Sequence, residues 1–194
     1  MGMRGKLVIF SSPSGAGKTT LVHHLLGLPL DLQFSVSATS RPKRPGEIEG
    51  RDYHFLSNEE FIQKRDKGEF LEWEEVYKGL MYGTLRVDVE RNLESGHHVI
   101  FDVDVKGALN IKRAFGDQAL AIFVQPPSIE ALELRLRGRG TENNETLKQR
   151  LARASMEMTY ANEFDVVIVN DKLDEAIKKS EEVVKAFLNK PSQP

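Results

Sequence analysis

A chain of 194 residues, 40% of them hydrophobic and 29% charged, can bury one sizeable core with room for small inserted lobes. Its 27 basic and 29 acidic side chains leave a net charge of -2, so no global basic field favours nucleic acid or an anionic membrane. The absence of cysteine excludes disulfides and thiolate metal sites and fits a reducing compartment. The first apolar run, LVIF, is too short for a signal or spanning helix, and Lys6 stands where a myristoylation pattern wants Ser or Thr. A cytoplasmic, membrane-free protein is the expectation.

In chain order, 6–10 (KLVIF) reads as a buried strand, and 19–26 puts Leu21, Leu25 and Leu26 at helical spacing. Between them lies SPSGAGKTT, 12–20, which fits G-x-x-x-x-G-K-[ST] except that Ser12 stands at the first glycine. Gly15 and Gly17 let backbone N–H groups approach an anion, Lys18 supplies a point charge, and Thr19 supplies a hydroxyl for magnesium. The alternative is a plain glycine-rich turn, but the flanking strand and helix favour a phosphate site. Next, 33–37 suits a strand, and 41–51 is basic and proline-rich. In that stretch Arg41, Lys43 and Arg44, with Tyr53 soon after, form either a solvated loop or a grip for a phosphate monoester. A helix is expected over 59–67 and a turn-rich strand region over 79–83. Glu72, between Leu71 and Trp73, is either a carboxylate held against an apolar wall or an outward residue of an alternating strand, and the pattern alone favours the latter. Apolar runs at 98–103, 119–124 and 165–169 alternate with helical segments at 105–115, 128–136, 145–160 and 173–188, which implies a parallel sheet wrapped by helices.

Seven stretches in order, SPSGAGKTT, SVSATSRPKRPGEIEGRDYHF, FLEW, YGT, FDVDVKGA, LRLRGRGTE and VND, make the chain resemble the guanylate kinase family over almost its whole length. The resemblance implies an α/β fold with a P-loop NTPase-type parallel sheet flanked by helices, an inserted GMP-binding lobe and a helical lid. The expected divisions are 1–33, 97–127 and 161–194 for the ATP-binding core, 34–96 for the lobe and 128–160 for the lid. The implied reaction transfers the γ-phosphoryl group of ATP to GMP or dGMP with Mg2+. The family tolerates variation at Ser12, so the ATP cradle comprises Ser12, Pro13, Ser14, Gly15, Ala16, Gly17, Lys18, Thr19 and Thr20, with Asn170 beside the adenine. Thr19 and Asp102, the latter at the end of an apolar strand, are the expected magnesium ligands. By resemblance Arg41, Arg44, Tyr53 and Tyr82 grip the phosphate of GMP. Glu72 accepts from guanine N1–H and the exocyclic amine, Ser37 and Thr84 donate toward O6, and Asp104 touches the base edge.

On composition the arginines of 133–153 form a charged helix face, while family position favours Arg135, Arg139 and Arg150 for the migrating phosphoryl group. Arg137 and Arg153 fit the charged face better. The pairs His23–His24 and His97–His98 are adjacent in sequence, so their rings diverge and do not share a metal. A peptide-binding scaffold of the same family typically has a degraded P-loop, whereas this one is intact. A kinase for another monophosphate is disfavoured by Glu72 with Ser37. No nucleic acid, membrane or obligate protein partner is expected.

Overall fold

The apolar runs line up side by side in the computed structural model, which describes residues 4–138 and 144–191. Strands β1 (Leu7–Ser11), β2 (Leu32–Phe34), β7 (His98–Asp102), β8 (Ala119–Gln125) and β9 (Val166–Val169) form a five-stranded sheet in the order β2-β7-β1-β8-β9, with every pair parallel. Helices α1 (Lys18–Leu26), α3 (Arg86–Glu94), α4 (Val105–Phe115) and α7 (Leu173–Leu188) cover its two faces. The strand period of two decides the layering: Leu7 and Ile9 pack with α3 and α4, whereas Val8 and Phe10 pack with α1 and α7. All five residues of β1 are buried, as a central parallel strand requires.

A second sheet, in the order β4-β3-β6-β5, comprises β3 (Ala38–Thr39), β4 (His54–Phe55), β5 (Phe70–Tyr77) and β6 (Leu80–Leu85). It has its own small core of Ala38, Phe61, Phe70, Met81 and Leu85, in which the rings of Phe61 and Phe70 stack at 4.4 Å. Phe61 comes from α2 (Asn58–Asp66), which starts at a reciprocal cap: Glu60 N donates to Ser57 Oγ at 3.1 Å and Ser57 N donates to Glu60 Oε2 at 2.7 Å. Helices α5 (Ile129–Gly138) and α6 (Asn144–Met158) close on each other through Leu132, Leu136, Leu147 and Ala154.

Both ends of the 34–96 stretch contribute to the main sheet or its cover. Phe34 belongs to the main sheet, opposite Ile100, and Ser35 N still donates to Ile100 O at 2.9 Å. At the other end, 86–94 is helical, and Val89 and Leu93 pack into the core of the main sheet. The second sheet therefore spans only 38–85. Among the described residues no helix is long and apolar enough to cross a membrane. Lys6, buried at the entrance to β1, donates through Nζ to the carbonyls of Phe187 at 2.9 Å, Leu188 at 3.2 Å and Lys190, so a cation sits at the negative end of α7.

Candidate functional site

At the carboxyl end of β1 the chain turns into α1 through Gly15 at φ 93° and Gly17 at φ 97°, conformations that side chains resist. At Gly17 space is equally decisive, since a Cβ there would lie 2.2 Å from Asn170 Nδ2. That amide donates to Ala16 O at 2.8 Å, so Asn170, 5% exposed, braces the loop from beneath. Its side-chain amide is thus committed to the loop. Gly17 caps α1 without a side-chain acceptor, which leaves the first N–H groups of the helix to an outside anion.

Because β1 and β7 are parallel neighbours with Phe10 opposite Asp102, the end of β7 comes beside the loop. Lys18 Nζ pairs with Asp102 Oδ1 and donates to Val103 O at 3.3 Å, and Thr19 Oγ1 donates to Asp102 Oδ2 at 2.9 Å. A hydroxyl and a carboxylate in contact are hard oxygen donors that suit Mg2+, which takes few protein ligands and keeps the rest of its shell for water and phosphate. A cleft of about 660 Å³ opens here, lined by residues 12–15, Lys18, Thr19 and Asp102, with Asp104, Arg150 and Arg153 on the far side.

On the lobe, Arg41 is nearly buried and lies over the rings of Tyr53 at 5.4 Å and Phe55 at 5.8 Å. Its fork meets Glu47 at 2.7 and 3.0 Å, and NH1 also donates to Pro42 O at 2.8 Å. Arg44 N donates to the same carboxylate at 2.7 Å, so Glu47 closes the basic loop on itself. The Arg41 hydrogen bonds, followed by the bond from Arg44 N, hold the Glu47 carboxyl below the usual range. Tyr53 and Tyr82 meet edge to face at 5.9 Å, and burial, then Tyr82, pushes the Tyr53 phenol up. Arg41, Tyr53 and Tyr82 are thus brought together, with Arg44 on the same loop. Glu47 escaped the sequence reading, although an acid three residues after Arg44 in a Pro-Gly turn was an available signal.

Glu72 lies opposite Thr84 across the β5–β6 pair, and Thr84 Oγ1 donates to Glu72 Oε1 at 2.6 Å. The Thr84 hydroxyl thus lies directly beside the Glu72 carboxylate. Burial pushes the Glu72 carboxyl up to about 7, with the nearby Asp104 adding to the shift and Thr84 opposing it. A Cβ at Gly107 would lie 2.8 Å from Glu72 Oε2 and 3.1 Å from Asp104 Oδ1, so the first turn of α4 presses against the lobe and a side chain there would displace the Glu72 carboxylate. Asp104 caps α4 by accepting from Gly107 N at 2.7 Å. Ser37, half-buried at the entry to β3, accepts from His54 N through its carbonyl at 2.9 Å.

The lid arginines divide. Arg135 donates to Asn170 O at 2.8 Å and Asp171 O at 3.3 Å, whereas Arg150 NH1 reaches Ser14 Oγ at 3.4 Å. Arg139 lies outside the described residues. The histidines turn to separate partners: His24 to Glu181 at 2.7 Å, His97 to Asp31 at 2.8 Å, and His98 Nδ1 to Lys6 N at 2.9 Å. A second cleft, of about 600 Å³, opens at the opposite ends of the strands near Lys6, Lys112 and Asp165. Its two buried-side cations are occupied, Lys6 on α7 and Lys112 on Asp165 at 3.0 Å and Ala119 O at 2.7 Å.

Comparison with known proteins places these features in context. Residues 4–187 match the family model described as guanylate kinase. The chain is 55% identical over 188 residues to the guanylate kinase of Bacteroides thetaiotaomicron, covering 97% of this chain and 92% of that one. It is 53% identical over 183 residues to that of Salinibacter ruber, covering 94% and 97%. The crystal structure of guanylate kinase from Anaplasma phagocytophilum superimposes with a TM-score of 0.74 at 30% identity, covering 98% of this chain and 89% of that chain.

Proposed function

The chain belongs to the guanylate kinase family and phosphorylates GMP from ATP, and from that premise we propose which of its side chains perform the transfer and that they do so with Mg2+. ATP lies on the P-loop, with its outer phosphates on the free N–H groups of α1 and on Lys18. Thr19 and Asp102 would hold Mg2+, which would supply positive charge against the phosphates of ATP. GMP, or dGMP, lies in the lobe built by 38–85, with its phosphate between Arg41, Arg44, Tyr53 and Tyr82. Guanine N1–H and the exocyclic amine donate to Glu72, while Thr84 steadies that carboxylate. Ser37 donates toward O6, and Asp104 borders the base edge.

The attacking oxygen of GMP is already ionised at neutral pH, so the chain supplies position and positive charge and no general base. The new P–O bond forms from GMP as the bond to the bridging oxygen of ADP breaks. Arg150 and Arg139 of the lid neutralise the migrating group. Arg135 stands beside the 170–171 loop at the nucleoside end of ATP.

The observation that carries this reading is the first turn of α4. Asp104 lines the P-loop cleft and also faces Glu72, so one helix terminus borders the phosphate cradle and the base reader together. The test is ADP release with ATP, Mg2+ and each of GMP, AMP, CMP and UMP, for the wild type and Lys18→Met. GMP alone should sustain turnover, and the folded Lys18→Met should not. A folded Lys18→Met with near wild-type turnover would overturn the assignment.

A further inference from the structure

Glu74 is a charged side chain beside this site to which the proposed mechanism gives no task. It shares a face of β5 with Glu72, and the register pairs Glu72 with Thr84 and Glu74 with Tyr82. In the reading above, the first pair meets guanine and Tyr82 meets the phosphate. Glu74 therefore stands one strand repeat, roughly 6.8 Å, from the base reader toward the phosphate end. That is the level at which a nucleoside monophosphate carries its ribose.

The carboxylate of Glu74 is not saturated by its surroundings. Its Oε2 is buried and has no hydrogen-bond partner among the described residues. The charged groups that face it are Asp104 at the start of α4, Lys106 one residue into that helix and Arg153 of α6. Arg153 directs its Nε to Glu157 at 2.8 Å. Asp104 is itself a carboxyl, so it bonds Glu74 only while one of the two holds a proton and offers it no donor when both are ionised. A buried acceptor without a donor is a cost that a ligand with hydroxyl groups removes, and a vicinal diol offers two O–H donors at the spacing of one carboxylate.

We propose that Glu74 reads the sugar of the acceptor nucleotide, accepting hydrogen bonds from the ribose hydroxyls and so favouring GMP over its deoxy analogues. This rests on the lobe's being the GMP site. A site built to bond a hydroxyl rejects the analogue that lacks it, because its own polar atom is then stranded.

The test compares kcat/KM for GMP, 2′-deoxy-GMP and 3′-deoxy-GMP in the wild type, Glu74→Ala, Glu74→Gln and Arg153→Ala. The wild type should prefer GMP over at least one deoxy analogue by roughly tenfold or more, the scale of a hydrogen bond to a charged group. In Glu74→Ala that ratio should fall toward one, mainly through loss on GMP. Glu74→Gln keeps one acceptor oxygen and should lie between, and Arg153→Ala should keep the wild-type ratio. The proposal is overturned if the wild type does not discriminate, or if Glu74→Ala lowers all three substrates equally, as an ion-pair partner of α6 would. Failure of the underlying site would show separately, as a Glu72→Gln variant with unaltered selection between GMP and AMP.

Discussion

At Glu72, the desolvation that lifts the carboxyl to about 7 also sets the pH at which it can act. Only the ionised form accepts from two guanine donors at once, so kcat/KM for GMP should fall as the pH drops below about 7, as initial rates across pH 5.5–8.5 will show. Glu72→Gln should lose about 2 to 4 kcal/mol of transition-state binding on GMP, while the penalty on AMP, whose N1 is an acceptor, shrinks. An unchanged GMP-to-AMP ratio would remove Glu72 from base selection. The same residue couples to stability. Its folded pKa is raised above the ordinary 4.5, so the folded chain holds the proton more tightly, and stability falls as pH rises from 4.5 to about 7. Glu72→Gln, which can still accept from Thr84, should therefore be the more stable protein at pH 8, by on the order of 1–3 kcal/mol in urea titrations. Gly17 offers a purely steric test. Gly17→Ala would force a methyl to within 2.2 Å of Asn170 Nδ2 at φ 97°, so it should cost about 1–3 kcal/mol in stability and depress ATP turnover. Turnover and a melting temperature matching the wild type would show that the brace is dispensable.

Helix α6 brings Arg150 to the edge of the P-loop, beside Ser14. If it acts mainly on the migrating group, Arg150→Ala should lower kcat by roughly tenfold or more while KM for GMP changes little. An effect confined to KM would make it a ground-state ligand. Elements of this kind were legible in the sequence to unequal degrees. The buried strands β1, β7 and β8 showed as apolar runs because a parallel sheet covered on both faces needs them. Helix α3 did not show, since only Val89 and Leu93 are buried on a polar helix that starts at Leu85 without a side-chain cap. Neither did the two-residue strands β3 and β4, which are too short to display a period and exist through pairing with distant partners. For the site, motifs carried Lys18, Thr19 and Glu72 to their positions. The contacts of Asn170 with Ala16, of Glu47 with Arg41 and of Thr84 with Glu72 depend on chain segments meeting in space, which no local pattern encodes.

Across the whole molecule, separate cores divide the labour. The main sheet stacks alternate residues of one strand into opposite layers, and the second sheet carries its own cluster around Phe61. The two meet at Gly107, where backbone replaces side chain and any added methyl would collide with Glu72. The ammonium of Lys6 has a different reach, since it ties the start of the central strand to the carbonyls that end the last helix. Seen as topology, the path from β1 to α7 is nearly a ring, and a ring can be opened elsewhere. A circular permutant that joins residue 191 to residue 4 through a short Gly/Ser linker, and begins instead at Asp117, would cut an exposed turn between α4 and β8. Its new ends would lie at the amino end of β8, at the opposite ends of the strands from the P-loop, and GMP phosphorylation should survive with a single cooperative melt. Opening the ring within 12–19 instead should abolish turnover if, as proposed, the backbone there is the phosphate cradle.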